Sequence, residues 1–144
     1  MANTQSMCTS FMSELMYGYH QFGAPTLTSR GSLTAPTNDT FKGALYLTTA
    51  TVNASTTAYS ATNEVSGTGY TAGGVTVTNA NPPTSTNSSA TAGVAYWTPS
   101  ASLQYGSSGS PVTLSTAFDT VLIYNSSQSN KARSEEHTSE LQSH

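Results

Sequence analysis

A chain of 144 residues is the length of one ordinary domain. Only 8% of it is charged and 35% apolar, while 25 Thr and 23 Ser take up the difference. With a formal charge of −3, no Lys/Arg run and no apolar run near the roughly 18–20 residues a bilayer needs, it lacks both a nucleic-acid footprint and a membrane-spanning helix.

Low hydrophobicity would suggest disorder, but disorder also wants high net charge and few aromatic or β-branched residues. Here eight Tyr, four Phe and abundant Thr point to strands with polar outer faces, because these side chains fit a pleated, half-buried surface.

Residues 4 to 22, TQSMCTSFMSELMYGYHQF, carry the one helical pattern and predict a helix over about 5–22. Phe11, Leu15, Tyr19 and Phe22 recur at steps of four, four and three, which stacks them on one face, with Met12 and Met16 widening the stripe. Thr4 or Ser6 is placed to cap its start, Gly23 and Pro25 to stop it. Such a helix packs against a sheet. The single cysteine, Cys8, excludes an intramolecular disulfide and reads as a small buried hydrophobe on this helix.

Residues 24 to 40, with two prolines, Gly31 and many Ser and Thr, read as a loop. FKGALYLT, Phe41 to Thr48, is the clearest strand: Phe41, Gly43, Leu45 and Leu47 face one way, Lys42, Ala44, Tyr46 and Thr48 the other. Asn53 to Tyr59 reads as a turn or short helix. Glu64 to Asn79 is Gly-rich and ends in a period-two run, Val75 and Val77 inward and Thr76 and Thr78 outward. Gly67, Gly69, Gly73 and Gly74 permit positive φ or a close backbone approach. Residues 79 to 93, NANPPTSTNSSATAG, form a flexible loop or hairpin tip. Val94 to Thr98 is a short strand with Tyr96 and Trp97 on opposite faces. Val112 to Leu114 and Val121 to Tyr124 are further strands, and Asn125-Ser126-Ser127 is a turn. One helix followed by five or six short strands predicts a mainly β fold, an antiparallel β-sandwich or jelly-roll-like domain with one N-terminal helix.

Arg133 to His144, RSEEHTSELQSH, breaks with what precedes it. Three of the seven acidic residues (Glu135, Glu136, Glu140) and two of the three histidines (His137, His144) lie in it. The segment resembles the translation of a sequencing-library adapter. The expected division is a single C-terminally truncated domain over 1–132 and a non-native tail over 133–144, so Glu135-Glu136-His137 is given no chemical role. Truncation at Ala132 would leave the Val121–Tyr124 strand without a successor, as an unpaired, aggregation-prone edge.

No residue pattern marks a reaction centre. Gly67-Thr68-Gly69-Tyr70-Thr71-Ala72 echoes G-x-G-x-x-A but leads into β-type sequence rather than a helix, and no P-loop lysine follows. On one continuous helix Cys8 and His20 would stand roughly 18 Å apart, too far for a nucleophile–base pair. Glu14, Asp39, Glu64 and Asp119 are isolated in sequence, with Glu14 expected on a solvated helix face and Asp119 in a turn. A hydrolase would need His20 beside one of them and a serine, and no G-x-S-x-G marks that serine. No catalytic, cofactor-binding or metal-ligating residue is assigned, and no cofactor is expected. The N-x-S/T sequons at Asn38, Asn53, Asn87 and Asn125 arise by chance in so Ser- and Thr-rich a chain. Tyr70, Tyr96, Trp97 and Tyr105 are the candidate interaction surface, since aromatic faces stack on sugar rings.

Four stretches carry a family likeness: Met7-Cys8-Thr9-Ser10-Phe11, Phe41-Lys42-Gly43-Ala44-Leu45-Tyr46, Tyr59 to Gly74 (YSATNEVSGTGYTAGG), and Leu122 to Ser127 with Asn130-Lys131-Ala132. Together they resemble a family of small virion structural proteins of tailed bacteriophages, of the marine and environmental type, and the third stretch is the most specific. The resemblance spans most of the first 132 residues. It implies a non-enzymatic particle component, a capsid-decoration, tail or head–tail-associated subunit, with other virion proteins as partners and a homo-oligomer, for which a trimer would suit. It implies location in the virion after synthesis in the host cytoplasm and release by lysis, in keeping with an N-terminus, Met1 to Gln5, that lacks the positive region of a signal peptide. Family members continue after Asn-Lys-Ala with another apolar strand and have a shorter loop at 79–93; this chain departs from them at both places. The alternative expectation is a receptor- or glycan-binding module of a tail fibre or adhesin.

Overall fold

The computed structural model describes residues 6–16, 18–20, 22, 38–78, 84–88, 91–97, 99–107 and 109–137. Among them the chain is mainly β, with antiparallel pairing throughout and one short helix near the N-terminus. The elements are β1 (Ser6–Met7), α1 (Thr9–Met16), β2 (Phe41–Tyr46), β3 (Gly67–Thr68), β4 (Val75–Val77), β5 (Thr84–Ser88), β6 (Thr91–Tyr96), β7 (Gly106–Ser107), β8 (Ser110–Pro111), β9 (Thr113–Leu114), β10 (Thr120–Asn125) and β11 (Lys131–His137). A five-stranded sheet in the order β1-β11-β10-β2-β4 forms the centre, and three two-stranded ribbons, β3-β9, β5-β6 and β7-β8, complete the strand pairing.

Strands β2 and β10 hold the middle. Each has one half-buried residue and is otherwise buried, so both their faces are covered. A strand covered on both sides needs a nearly continuous apolar run, and GALY and VLIY supply it. The register pairs Thr120 with Tyr46, Leu122 with Ala44 and Tyr124 with Lys42 on one face, and Val121 with Leu45, Ile123 with Gly43 and Asn125 with Phe41 on the other. Partners directly across an antiparallel pair share a face. The first set makes a tyrosine face, where the Tyr59 ring stacks on Tyr124 at 4.6 Å. The second makes a helix face, where Phe41 stacks on Phe22 at 4.7 Å, and Phe11 and Trp97 close around the pair. Burying one large apolar side chain contributes about 1.5–3 kcal/mol, so Phe41, Leu122 and Ile123 anchor the core.

The helix is shorter than its sequence pattern. It ends at Met16 because Gly18 takes φ +72°, and the Gly18 and Tyr19 N–H groups donate back to the Leu15 and Glu14 carbonyls. That is a glycine-terminated helix end, and it comes before Gly23. The expected single stripe therefore divides. Phe11 and Phe22 are buried, whereas Leu15 and Tyr19 are exposed, and beyond Gly18 the chain no longer follows the helical period. Ser6 does not cap the helix but pairs with Glu135 in β1, and Thr4 lies outside the described residues. Cys8 is fully buried, as expected, but stands between β1 and α1 rather than on the helix.

The Gly-rich segment behaves as its composition asks. Gly69, Gly73 and Gly74 have positive φ, and a Cβ on Gly74 would lie 1.7 Å from the Gly43 carbonyl oxygen. Val75 and Val77 oppose Gly43 and Phe41 on the edge of β2. The stretch expected as a loop or hairpin tip contains β5 and the start of β6, which pair as a hairpin, with residues 79–83 and 89–90 outside the described set, as are 24–37 of the expected first loop.

The expected bare edge on β10 is absent. β11 pairs with β10 from Thr120 to Asn125, with a bulge at Arg133, and β1 and residues 57–58 pair with the far side of β11. A ladder is built from backbone groups, so residues 133–137 complete it whatever their side chains. Residues 138–144 are not described.

Candidate functional site

Two polar clusters gather the ionisable groups that look isolated in the sequence. The first lies under α1. Because the chain turns back at Gly18, His20 returns against the helix instead of lying along it, and its ring sits 4.9 Å from the Phe11 ring. His20 Nε2 meets the Glu14 carboxylate at 2.8 Å and Nδ1 meets the Asn125 amide at 3.0 Å. The Asn125 amide also donates to Asp39 at 2.6 Å, and its oxygen accepts from the Ser127 N–H at 3.0 Å. That last bond fixes which end of the amide faces the ring. Nδ1 is therefore the acceptor, and Nε2 carries the proton donated to Glu14. Lys131 Nζ reaches the other Glu14 oxygen at 2.6 Å.

Glu14 is thus buried, not on a solvated helix face, and Asp39 is buried with it. This corrects the sequence expectation; the cause is the hydrogen-bond partners that distant strands bring, Asn125 of β10 to Asp39 across 86 residues and Lys131 of β11 to Glu14 across 117. His20 has the carboxylate neighbour a hydrolase would need. Yet both ring nitrogens are taken, one by Glu14 and one by Asn125, so neither is open to receive a proton from a serine hydroxyl. Asp119, half-buried just ahead of β10, ties its own N–H to the Tyr46 carbonyl.

The second cluster centres on Glu64, at the edge of β2. Along that edge β4 pairs with Phe41 to Gly43, and residues 63–65 pair with Leu45 to Leu47. The Tyr70 hydroxyl fills the joint. It accepts the Leu45 N–H at 3.0 Å and donates to Glu64 at 2.6 Å. The Tyr59 hydroxyl (2.7 Å) and the Gly73 N–H (2.7 Å) also donate to the Glu64 carboxylate, and Tyr124 donates to the Gly73 carbonyl. Burial, and after it the hydrogen bond to Glu64, pushes the Tyr59 and Tyr70 hydroxyls well above the ordinary tyrosine range. Burial is also the main cause that raises Tyr46, Tyr105 and Tyr124. The stretch Tyr59 to Gly74 is therefore one knot: its tyrosines, carboxylate and glycines converge on a single joint in the sheet. Sequence reading saw the glycines but not Glu64, because convergence of Tyr59, Tyr70 and Gly73 on one carboxylate leaves no periodic signal.

The expected interaction surface is only partly assembled. Tyr70 and Tyr105 stack on each other at 6.1 Å, and the Tyr105 hydroxyl donates to the Gly43 carbonyl. Trp97 packs between Phe22, Phe41 and Arg133. The Tyr96 side chain lies outside the described residues. Trp97 and Tyr105 do share an apolar cavity of about 570 Å³ on the helix face, walled by Leu45, Leu103, Val121 and Ile123. On the tyrosine face a second cavity of about 390 Å³ has a floor of Tyr46, Val52 and Leu122 and a rim of hydroxyls that includes Thr51, Thr57 and Thr62. Among the described residues no charged side chain lines it.

Among the described residues no group of three or more His, Cys, Asp or Glu is placed to hold a metal ion, and no helix is long and apolar enough to cross a membrane. Around α1, Met7, Met12, Leu15 and Tyr19 stand 54%, 53%, 44% and 47% exposed. Compared with protein-family models, with curated proteins and with solved structures, the chain matches none.

Proposed function

We propose that this chain is a non-enzymatic structural subunit of a tailed-phage particle, a capsid-decoration or tail-associated protein that works by self-association and by docking on other virion proteins. The observation that carries this reading is the apolar patch around α1. Met7, Met12, Leu15 and Tyr19 are large and exposed on a chain whose surface is otherwise rich in Thr and Ser. Large apolar side chains left in water around one helix suit a contact site. The use made of the ionisable groups supports it as well: Glu14, His20, Asp39 and Glu64 are occupied in holding the fold. The family resemblance of the Tyr59–Gly74 stretch points the same way, and the symmetric oligomers usual for such subunits, trimers among them, would cover the patch.

The test is sedimentation of the purified chain together with mass spectrometry of virions of the phage that encodes it. Self-association that is lost in Met12→Ser/Leu15→Ser, and peptides of the chain in the particle, are the expected results. A monomer at all concentrations, with no such peptides in the virion, refutes the proposal.

A second reading, a glycan-binding module of a fibre or adhesin, is favoured by the neutral cavity on the tyrosine face. An apolar floor with a hydroxyl rim suits a sugar ring. Trp97→Ala is a poor test of it, since Trp97 belongs to the aromatic packing on the helix face. Glycan-array binding that falls in Thr57→Val would favour it.

A further inference from the structure

Leu45 of β2, Val77 of β4, and Val121 and Ile123 of β10 share the helix face of the sheet. The rings of Phe22 and Trp97 close over Phe41 on that face. Beside them lies the apolar cavity of about 570 Å³, with the four aliphatic side chains as its floor and Leu103 and Tyr105 as a second wall. That wall is held close to the sheet. The Tyr105 hydroxyl donates to the Gly43 carbonyl at 2.9 Å, and a Cβ on Gly43 would lie 2.9 Å from Leu103 Cδ1, so the missing side chain at Gly43 is what admits the loop. The size falls within the roughly 300–1,000 Å³ of small-molecule sites, and an apolar lining with few polar groups is their usual make-up. One end of the cavity carries charge. Among the described residues that line it, Arg133 is the one charged side chain. Its guanidinium lies 4.6 Å from the Trp97 ring centroid and 5.5 Å from that of Phe22. Stacking uses the face of a guanidinium, while its N–H donors point outward in its own plane.

We propose that this cavity is a binding site for a small carboxylate with an unbranched apolar chain, the chain lying over Val121 and Ile123 and the carboxylate meeting Arg133. Removal of the chain from water supplies the affinity. Charge-assisted hydrogen bonds to Arg133 fix the orientation and select an anion over a neutral molecule of the same shape. The apolar part of the site comes wholly from residues 45–123. It is separate from the exposed patch around α1, so the inference holds whether or not the chain belongs to a particle.

The test titrates octanoate into the full-length chain by calorimetry, with 1-octanol and acetate as controls. Trp97, the single tryptophan, lines the cavity and reports its filling by fluorescence. The expected result is saturable one-to-one binding of octanoate, with octanol at least about tenfold weaker and acetate not bound. Arg133→Gln should weaken octanoate by about tenfold or more and leave octanol unchanged. Val121→Phe, which fills the cavity, should weaken both. If Val121→Phe does not fold, Arg133→Gln, at a half-buried side chain, still decides the matter. A folded chain that does not bind octanoate, equal binding of octanol, or an octanoate affinity unchanged in Arg133→Gln or in folded Val121→Phe overturns the proposal.

Discussion

Removing the Glu64 carboxylate should cost more than removing its charge. Three donors converge on it, Tyr70 and Gly73 on one oxygen and Tyr59 on the other, all at 2.6–2.7 Å. A hydrogen bond to a charged acceptor contributes roughly 1.5–3 kcal/mol. The cluster is half-buried, so water recovers part of what Glu64→Ala gives up, and a net loss of about 3–5 kcal/mol is expected. That is a large share of the roughly 5–15 kcal/mol that holds a domain together. In Glu64→Gln one amide oxygen can keep Tyr70 and Gly73, and the Tyr59 hydroxyl can rotate to accept from the new NH₂, so about 1 kcal/mol should go. Urea titration followed by far-ultraviolet circular dichroism and by Trp97 fluorescence measures both variants. A cost below about 1 kcal/mol for Glu64→Ala, or equal costs for the two, would refute the view that this carboxylate is the joint's hydrogen-bond centre.

Alkali should unfold the protein through its tyrosines. Among the described residues five tyrosines have hydroxyls raised above the ordinary value of 10.0, so the folded state holds protons that the unfolded chain releases; stability is complete below pH 10 and falls as pH climbs beyond it. Tyrosinate absorbance should rise together with loss of circular dichroism, and reversible titration of all the tyrosines near 10 in a folded protein would contradict this. Gly74→Ala places a Cβ against the Gly43 carbonyl at positive φ and should abolish cooperative folding, while Gly18→Ala, also at positive φ but in open space, should cost only about 1 kcal/mol, both read by thermal melts.

The inner strands were legible because their physics is local. Phe41 to Tyr46 and Val121 to Tyr124 are apolar, β-branched or aromatic runs bounded by turn residues, and the structure puts β2 and β10 there. The glycines of residues 67–74 were legible for the same reason: only glycine offers that backbone freedom. Neither end of the helix could be seen: Ser6 and Met7 pair in β1 so that the helix starts only at Thr9, and it stops at Gly18, ahead of Gly23, where His20 and Phe22 turn back to pack. β1 and β11 carry no sequence signal, because two residues are too few for a period and a ladder does not depend on side chains. The polar clusters were least legible. Glu14, His20, Asp39, Asn125 and Lys131 meet across separations of up to 117 residues, and no spacing rule reaches that far.

Those separations bear on how the chain is made. Lys131 and Asn125 lie 117 and 105 positions downstream of the Glu14 and His20 they bind. A ribosome releases the N-terminal helix long before either partner exists, so α1 must wait, with its acid and its imidazole still in water, until those two residues have been made. Long-range closure of this kind is slow. The turn at Asn125 to Lys131 is therefore the latch whose arrival lets α1 settle.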